Sequence, residues 1–342
     1  MLLGLSASGA RGQTISLTYR GMINTGQSFQ SGTQTFAING LSGITRLHDA
    51  QFLAVMDNSR QIVRMTIAID KDGSLLAAKY AGVIVLSQHH DFEGIAVASD
   101  NADDVFLSEE DTPAVREFRL RDGQFLQSLK TPPVFGHGNT RGNFGFESLT
   151  IRDGQLWTAN EEALRCDGDR STATTGTTVR LTHLVLKDHA WMTSEQSGYL
   201  TDPIPGAPND TDRSKSRSGV SDLMLLPDGR LLVLERAFVL AGPGNLLSKF
   251  RNRIYLVDCA AATNVLPLDR GLKDQTIEVA KKTLLWSHEG NDIGNLEGLG
   301  LGPKLGENRW ALVGVVDNNA SAFMPNRVVS FELTITPGPS GR

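Results

Sequence analysis

The stretch FEGIAVASDNADDVFLSEE, residues 92–110, decides the reading of this chain, because four other stretches repeat its design. It opens on a carboxylate, Glu93, followed by a glycine and an apolar run. A turn-rich gap comes next, then a second apolar run that ends in Glu109 and Glu110. LSGITRLHDAQFLAVMD (41–57), FESLTIRDGQLWTANE (146–161), VSDLMLLPDGRLLVLE (220–235) and LEGLGLGPKLGENRWALVGVVD (296–317) follow the same plan. The opening oxygen-bearing residues are Ser42, Glu93, Glu147, Ser221 and Glu297. The closing carboxylates are Asp57, Glu109 or Glu110, Glu161, Glu235 and Asp317. Two strands joined by a tight turn run antiparallel, so the start of the first lies beside the end of the second. Both polar positions of each copy therefore share one end of a hairpin. Hairpins set around an axis would gather them into two rings of oxygen donors.

Alternation, β-branched content and turn punctuation extend each copy toward four strands. The first unit reads GITRL, FLAVMD, IVRMTIAID and AGVIVL, and the second EGIAV, DVFLSEE, AVREFRL and FLQSLK. The third reads ESLTI, LWTANE, VRLTHLVL and AWMTSEQSGY, and the fourth VSDLMLL, LLVLER, NRIYLVD and KKTLLWS. The fifth has only LEGLGLG, WALVGVVD and RVVSFELTI, and residues 15–22 at the other terminus can supply its fourth strand. The pattern predicts an all-β protein, a β-propeller of five four-stranded blades with the last closed by the N-terminal strand. Six blades stay open, since the gaps after the third and fourth copies are long. A large β-sandwich fits the composition but gives no reason for an acid at the same end of every hairpin. One domain over residues 14–336 is expected, with 1–13 and 337–342 as tails.

In that arrangement the loops after second and fourth strands crowd the acidic end. They are the long ones: residues 87–92, 131–146, 165–178, 201–219, 237–249 and 287–296. The opposite end is mostly tight D-G turns, at Asp72-Gly73, Asp122-Gly123, Asp153-Gly154 and Asp228-Gly229, with residues 259–275 as the exception. Long loops gathered on one face of a rigid scaffold usually carry binding.

The net charge of −5, with no basic stripe, argues against nucleic acid as a partner. No apolar run approaches the roughly 20 residues that span a bilayer. The opening MLLGLSASGA is like the end of a signal peptide, so an exported protein, periplasmic or secreted, is expected; a cytosolic tail is the alternative. Cys166 and Cys259 permit one disulfide or two free thiols and fit no metal-ligand spacing. A monomer acting on a small anionic molecule is expected.

The first ring, Ser42, Glu93, Glu147, Ser221 and Glu297, contains only hard oxygen donors. Such a set suits Ca²⁺, which takes 6–8 oxygens, better than Zn²⁺. A single carboxylate at a strand end ordinarily accepts turn N–H groups, but five polar residues in register point to an ion. The second ring, Asp57, Glu110, Glu161, Glu235 and Asp317, can support the first through water or Arg236. Glu161 and Glu235 are the candidate general bases. Arg141 and Arg236, with Arg213, Lys215 or Arg217, are candidate grips on an anionic substrate, and His89, His90 and His288 fall in loops at the same end. G-x-S-x-G is absent, which argues against a serine esterase.

The segments DFEGIAV, GFESLTI with Asn143 before it, VSDLMLLPDGRLLVLER and NLEGLG resemble the family described as having esterase-like activity of phytase. The likeness runs from LSGITRL to VVSFEL and implies an exported bacterial protein that hydrolyses phosphoric esters. The Ser, Glu, Glu, Ser, Glu order is also similar to the axial site of calcium-activated nucleotidases of the apyrase family, which are five-bladed propellers. That resemblance implies one Ca²⁺ on Ser42, Glu93, Glu147, Ser221 and Glu297. The rest of the chain lacks the nucleotidase pattern, and the DDPA-type run of β-propeller phytases has only a faint echo at Ala102-Asp103-Asp104-Val105. Neither nucleotides nor phytate carry over as substrate. The reading is thus a calcium-dependent phosphoric ester hydrolase. A metal-dependent lactonase or arylesterase, or a non-catalytic propeller tied together by calcium, are the alternatives.

Overall fold

The computed structural model describes residues 6–8, 13–99, 102–136, 138–204, 216–242, 247–319, 321 and 324–337. Five antiparallel sheets stand in a ring, each a meander that starts innermost and works outward. Blade 1 is Leu41–His48, Gln51–Met56, Gln61–Ile69 and Leu75–Val85. Blade 2 is Phe92–Ala96, Asp104–Glu109, Ala114–Arg119 and Phe125–Ser128. Blade 3 is Phe146–Arg152, Gln155–Asn160, Thr178–Lys187 and Ala190–Leu200. Blade 4 is Arg217–Leu225, Leu231–Val239, Lys249–Asp258 and Lys281–Glu289. Blade 5 is Asn295–Gly306, Arg309–Asp317 and Asn326–Thr336, completed by Thr14–Thr25. The five-bladed propeller is therefore the fold, and the six-bladed count falls away.

Burial follows the radius. The innermost strand Phe92–Ala96 is buried at every residue, whereas the outermost Leu75–Val85 is half-buried or exposed everywhere but at Ile84. Inner strands are covered on both faces by neighbouring blades, so they read as continuous apolar runs rather than alternating ones. The apolar residues between blades form the core, and Ile15 and Leu17 of the closing strand belong to it. That strand pairs from Thr14 opposite Thr336 to Thr25 opposite Asn326, so the two ends of the chain latch the ring.

Two features were not foreseen. Ser6–Ser8, expected to lie in a tail, pairs with Thr14–Ser16 as a further outer strand of blade 5. A hairpin, Ser28–Ser31 with Gln34–Ala37, connects the closing strand to blade 1. Residues 259–275, the long excursion at the far end, run back along blade 3. Arg180 there is fully buried, ion-paired to Asp167 at 2.7 Å, and donates to the carbonyls of Val265 and Leu268. Cys166 and Cys259 are both free thiols. Among the described residues no helix is long and apolar enough to cross a membrane.

Candidate metal centre

The small residue after each opening donor marks where the inner strands come closest. A Cβ at Gly43 would lie 2.6 Å from the Glu93 carbonyl oxygen, one at Gly94 2.6 Å from Leu149 N, and one at Gly298 2.4 Å from the Ser42 carbonyl oxygen. Blade packs on blade there, and only a hydrogen fits. Ser148 and Asp222 hold the same place in blades 3 and 4. Asp222, fully buried, accepts N–H groups from Leu223 and, across the channel wall, from Leu299 at 2.6 Å.

A ladder irregularity accompanies every opening donor. In blade 3 Phe146 faces Asn160 and Ser148 faces Ala159, so Glu147 is an extra residue with no partner. Ser221 falls between Val220, opposite Glu235, and Asp222, opposite Leu234. Glu297 falls between Leu296, opposite Val316, and Gly298, opposite Val315. Blades 1 and 2 slip between Leu41 and Ile44 and between Phe92 and Ile95. A bulge leaves one residue outside the ladder and re-aims its side chain. Here the re-aimed side chains of Ser42, Glu93, Glu147 and Glu297 meet at the channel mouth.

The meeting point is a cavity of about 270 Å³. Its walls carry Ser42, Glu93, Glu147 and Glu297 of the first ring and Asp57, Glu110, Glu161 and Asp317 of the second. Arg236, Asn295, Asn143 and Phe144 complete most of the rest. The oxygens of Glu93, Glu110 and Glu147 approach within 4.8 Å of one another, as do those of Asp57, Asp91 and Glu93. The family model described as "Phytase-like: Esterase-like activity of phytase" matches residues 37–320, which contain this whole mouth. The chain belongs to that family. No curated protein matches it.

Solved structures similar to this phytase-like chain are remote in sequence. Glutaminyl cyclase of Myxococcus xanthus is 10% identical, with 94% of this chain and 97% of that one covered, at a TM-score of 0.44. Hydrazine synthase of Kuenenia stuttgartiensis is 9% identical over 86% of this chain at 0.36, and the match spans 61% of that chain. A luciferin-regenerating enzyme is 13% identical, with 89% of this chain and 94% of that one covered, at 0.41. Nothing about activity passes from them to this protein.

In the phytase-like mouth the carboxylates are held away from their ordinary acidity. Burial, then the charges of Glu110, Asp57 and Asp91, push Glu93 well up. Burial, then Glu110, Glu161 and the other glutamates, does the same to Glu147. Glu110 rises to about 10, Asp57 to about 7 and Glu297 to about 8, burial being the main cause in each. Glu161 rises only to about 7, because Arg236 opposes the effect of burial. Two buried oxygens of the mouth stand out among the described residues. Glu147 Oε2 is buried with no hydrogen-bond partner, and so is Asn295 Oδ1. All these donors are oxygens, as a hard divalent ion requires.

Arg236 takes the place that a carboxylate fills in the other blades. Asp57, Glu110, Glu161 and Asp317 each lie at the channel end of a second strand; in blade 4 Glu235 pairs with Val220, and Arg236, opposite Gly219, turns inward. Its guanidinium lies 3.2 Å from Glu161, 3.2 Å from Glu297 and 3.7 Å from Glu147. Glu235 faces the other way. It accepts from Tyr199 at 2.6 Å, Lys282 at 2.6 Å and the Asp202 N–H at 2.8 Å, and does not line the cavity. Glu109, the alternative to Glu110, likewise points out, to Arg116 and His90.

Ser221 holds its register position, but its hydroxyl donates to the Leu296 carbonyl at 3.4 Å and is not part of the cavity wall. Ser42 donates to Glu93. Arg141 lines an adjoining hollow of about 770 Å³ and donates to the carbonyls of Ala163 and Gly168. Arg217 lines that hollow too, near Phe144; Arg213 and Lys215 lie outside the described residues. His89 is exposed, and His288 binds Asp292 at 2.7 Å against Trp286; neither lines the cavity. Asp91 was missed. Its signal was the carboxylate two residues before Glu93, in a loop where an isolated acid reads as solvated.

Proposed function

We propose that this phytase-like propeller is a calcium-dependent hydrolase of phosphoric esters, acting at the channel mouth. The observation that carries this is the buried, partnerless Glu147 Oε2 beside Glu93 and Glu110 in a cavity walled by oxygen donors. Glu93, Glu110 and Glu147 form the strongest seat, with Ser42 beside Glu93. Bound there, Ca²⁺ would supply Lewis-acid polarisation of a phosphoryl oxygen and charge stabilisation.

The chain's own residues account for the remaining roles. Arg236 is the cation on the wall and is poised to take phosphoryl oxygens, since a planar guanidinium matches their geometry. Glu161, with its acidity near neutrality, is the group suited to accept a proton from an attacking water. Phe144 and Asn143 stand on the wall beside Glu161 and limit the room for the ester group.

Phosphate release from a panel of phosphomonoesters, by chelator-stripped protein with and without added Ca²⁺, tests the reading. Release that depends on Ca²⁺ is expected. Turnover of lactones or aryl esters alone, under the same control, would replace it with the neutral-ester alternative.

A further inference from the structure

Ser221 has the register position of a first-ring donor yet stays out of the cavity wall, and Asp222 beside it is a buried carboxylate that also lies outside that wall. Both side chains reach into blade 5. The Ser221 hydroxyl donates to the Leu296 carbonyl at 3.4 Å, and Asp222 Oδ2 accepts the Leu299 N–H at 2.6 Å. Leu296 precedes Glu297 and Leu299 follows it by two residues, so these bonds bracket the bulge that carries Glu297. A bulged residue lies outside the ladder, so other contacts must fix where its side chain points.

Asp222 has two further donors. Its Oδ1 accepts the Leu223 N–H of its own strand at 2.8 Å, and its carboxylate takes a backbone hydrogen bond from Leu149 of blade 3. Leu149 stands two residues beyond Glu147, as Leu299 stands two beyond Glu297. One buried carboxylate thus joins the inner strands of blades 3, 4 and 5, one residue in from the mouth. Blades 1, 2 and 5 have glycine at the same position, and there backbone rests on backbone. In blade 3 Ser148 accepts the Ala159 N–H at 3.1 Å, within its own sheet. Arg236 repeats the Asp222 connection at the mouth itself, from blade 4 to Glu147 at 3.7 Å and Glu297 at 3.2 Å. A buried charge is costly unless fully hydrogen-bonded, so a carboxylate where glycine serves other blades needs a reason.

We propose that Ser221 and Asp222 are positioning residues that set the bulge aiming Glu297 at the mouth, with Asp222 the stronger of the two. This role rests on reading the mouth as a metal-dependent centre, and it deepens that reading. Blade 4 then serves the centre through the aim of its neighbour's carboxylate, and the serine at 221 is there to hold the Leu296 carbonyl, not an ion. Calcium affinity depends on how rigidly the donors are held as well as on their number and charge, so a slackened bulge should weaken binding.

The test is a double-mutant cycle on the full chain stripped with chelator, read as Ca²⁺ affinity by titration calorimetry with Ca²⁺ alone as the probe. Asp222→Asn keeps the shape of the side chain, but whichever way its amide turns, an N–H group faces a backbone N–H group. Its Ca²⁺ affinity should fall about tenfold. In a Glu297→Gln background the same substitution should change affinity by less than about twofold, because the side chain it acts through is already blunted. Leu17→Ala, which weakens the latch, should keep the affinity of the unaltered protein, and so separates aim from stability. If Asp222→Asn gives no cooperative melting curve, Ser221→Ala takes its place in the cycle, with a fall of about threefold expected. Unchanged affinity in the variant used, or an equal fall in the Glu297→Gln background, overturns the positioning role and leaves the centre standing. No calcium bound by the unaltered protein would sink the metal reading and this role with it. Calcium binding and the expected coupling without ester hydrolysis would sink the functional reading alone.

Discussion

Arg236 lies 3.2 Å from Glu297, tying the second strand of blade 4 to the innermost strand of blade 5 across the channel mouth. It makes the ring unequal: Arg236 is paired with Glu147, Glu161 and Glu297, whereas among the described ion pairs it makes none with Asp57, Glu93 or Glu110 of blades 1 and 2. Arg236→Gln should weaken binding of an anionic substrate, with KM raised about tenfold or more, while Ca²⁺ affinity rises as a competing cation leaves. Without calcium the same variant should lose roughly 3 kcal/mol, because removing one partner of a buried ion pair strands the other. Calorimetry, steady-state kinetics and chemical denaturation read these effects. Unchanged KM would remove Arg236 from substrate binding.

Glu147→Gln should act with opposite signs on two measurements. Calcium affinity should fall by roughly one to two orders of magnitude, since affinity follows the charge and number of ligands. The calcium-free protein should melt higher, because a buried carboxylate crowded by Glu110, Glu161, Glu93 and Glu297 has been neutralised. A lower melting point in chelator would mean that Glu147 serves the fold and not an ion.

The pH dependence of the calcium-free protein has a definite direction. Glu297, Glu110, Asp57 and Glu161 all have folded-state acidities raised above the unfolded values near 4, to about 8, 10, 7 and 7. The native state therefore binds more protons, and stability falls as pH rises. This contribution is complete below about pH 4 and is lost as pH climbs through about 7 to 10. Added Ca²⁺ should flatten the slope, because it holds the ionised form. Melting curves at pH 5, 7 and 9, with and without calcium, read it directly; a rising midpoint in chelator would contradict the buried array.

Glu161 and Glu235 separate chemistry from architecture. Glu161→Gln should reduce kcat by about 10²–10⁴ if it is the base, with calcium stoichiometry kept. Glu235→Gln should leave kcat within severalfold and destabilise the fold, since it disrupts the bonds to Lys282 and Tyr199. A large kcat loss in Glu235→Gln without a stability change would reverse the assignment.

The latch can be weighed with one side chain. Leu17 of the closing strand is fully buried in the apolar core shared by blades 4 and 5. Leu17→Ala should cost about 2–5 kcal/mol, and deletion of residues 14–25 should abolish cooperative unfolding. A truncated protein that melts like the full chain would show that the ring closes without this strand.

The sequence by itself determined the repeated hairpin, the closure by an N-terminal strand, and the placing of one polar residue at the same end of every blade. These depend on local pattern: alternation, turn residues and antiparallel pairing all act within a few residues. The glycines of the EG pairs were legible as part of the motif, though their reason, the approach of Gly94 to Leu149 and of Gly298 to Ser42, belongs to packing between blades.

Which side chains face the channel was decided only by the tertiary structure. Side chains alternate along a strand, so a shift of one residue turns each to the opposite face. Glu235 and Arg236 are adjacent, and so are Glu109 and Glu110; the bulges at Ser221 and Glu93 set the register that turns Arg236 and Glu110 inward. Asp91 and Asn295 joined the mouth for the same reason: loops and strand starts far apart in the chain became neighbours when five inner strands closed on one axis.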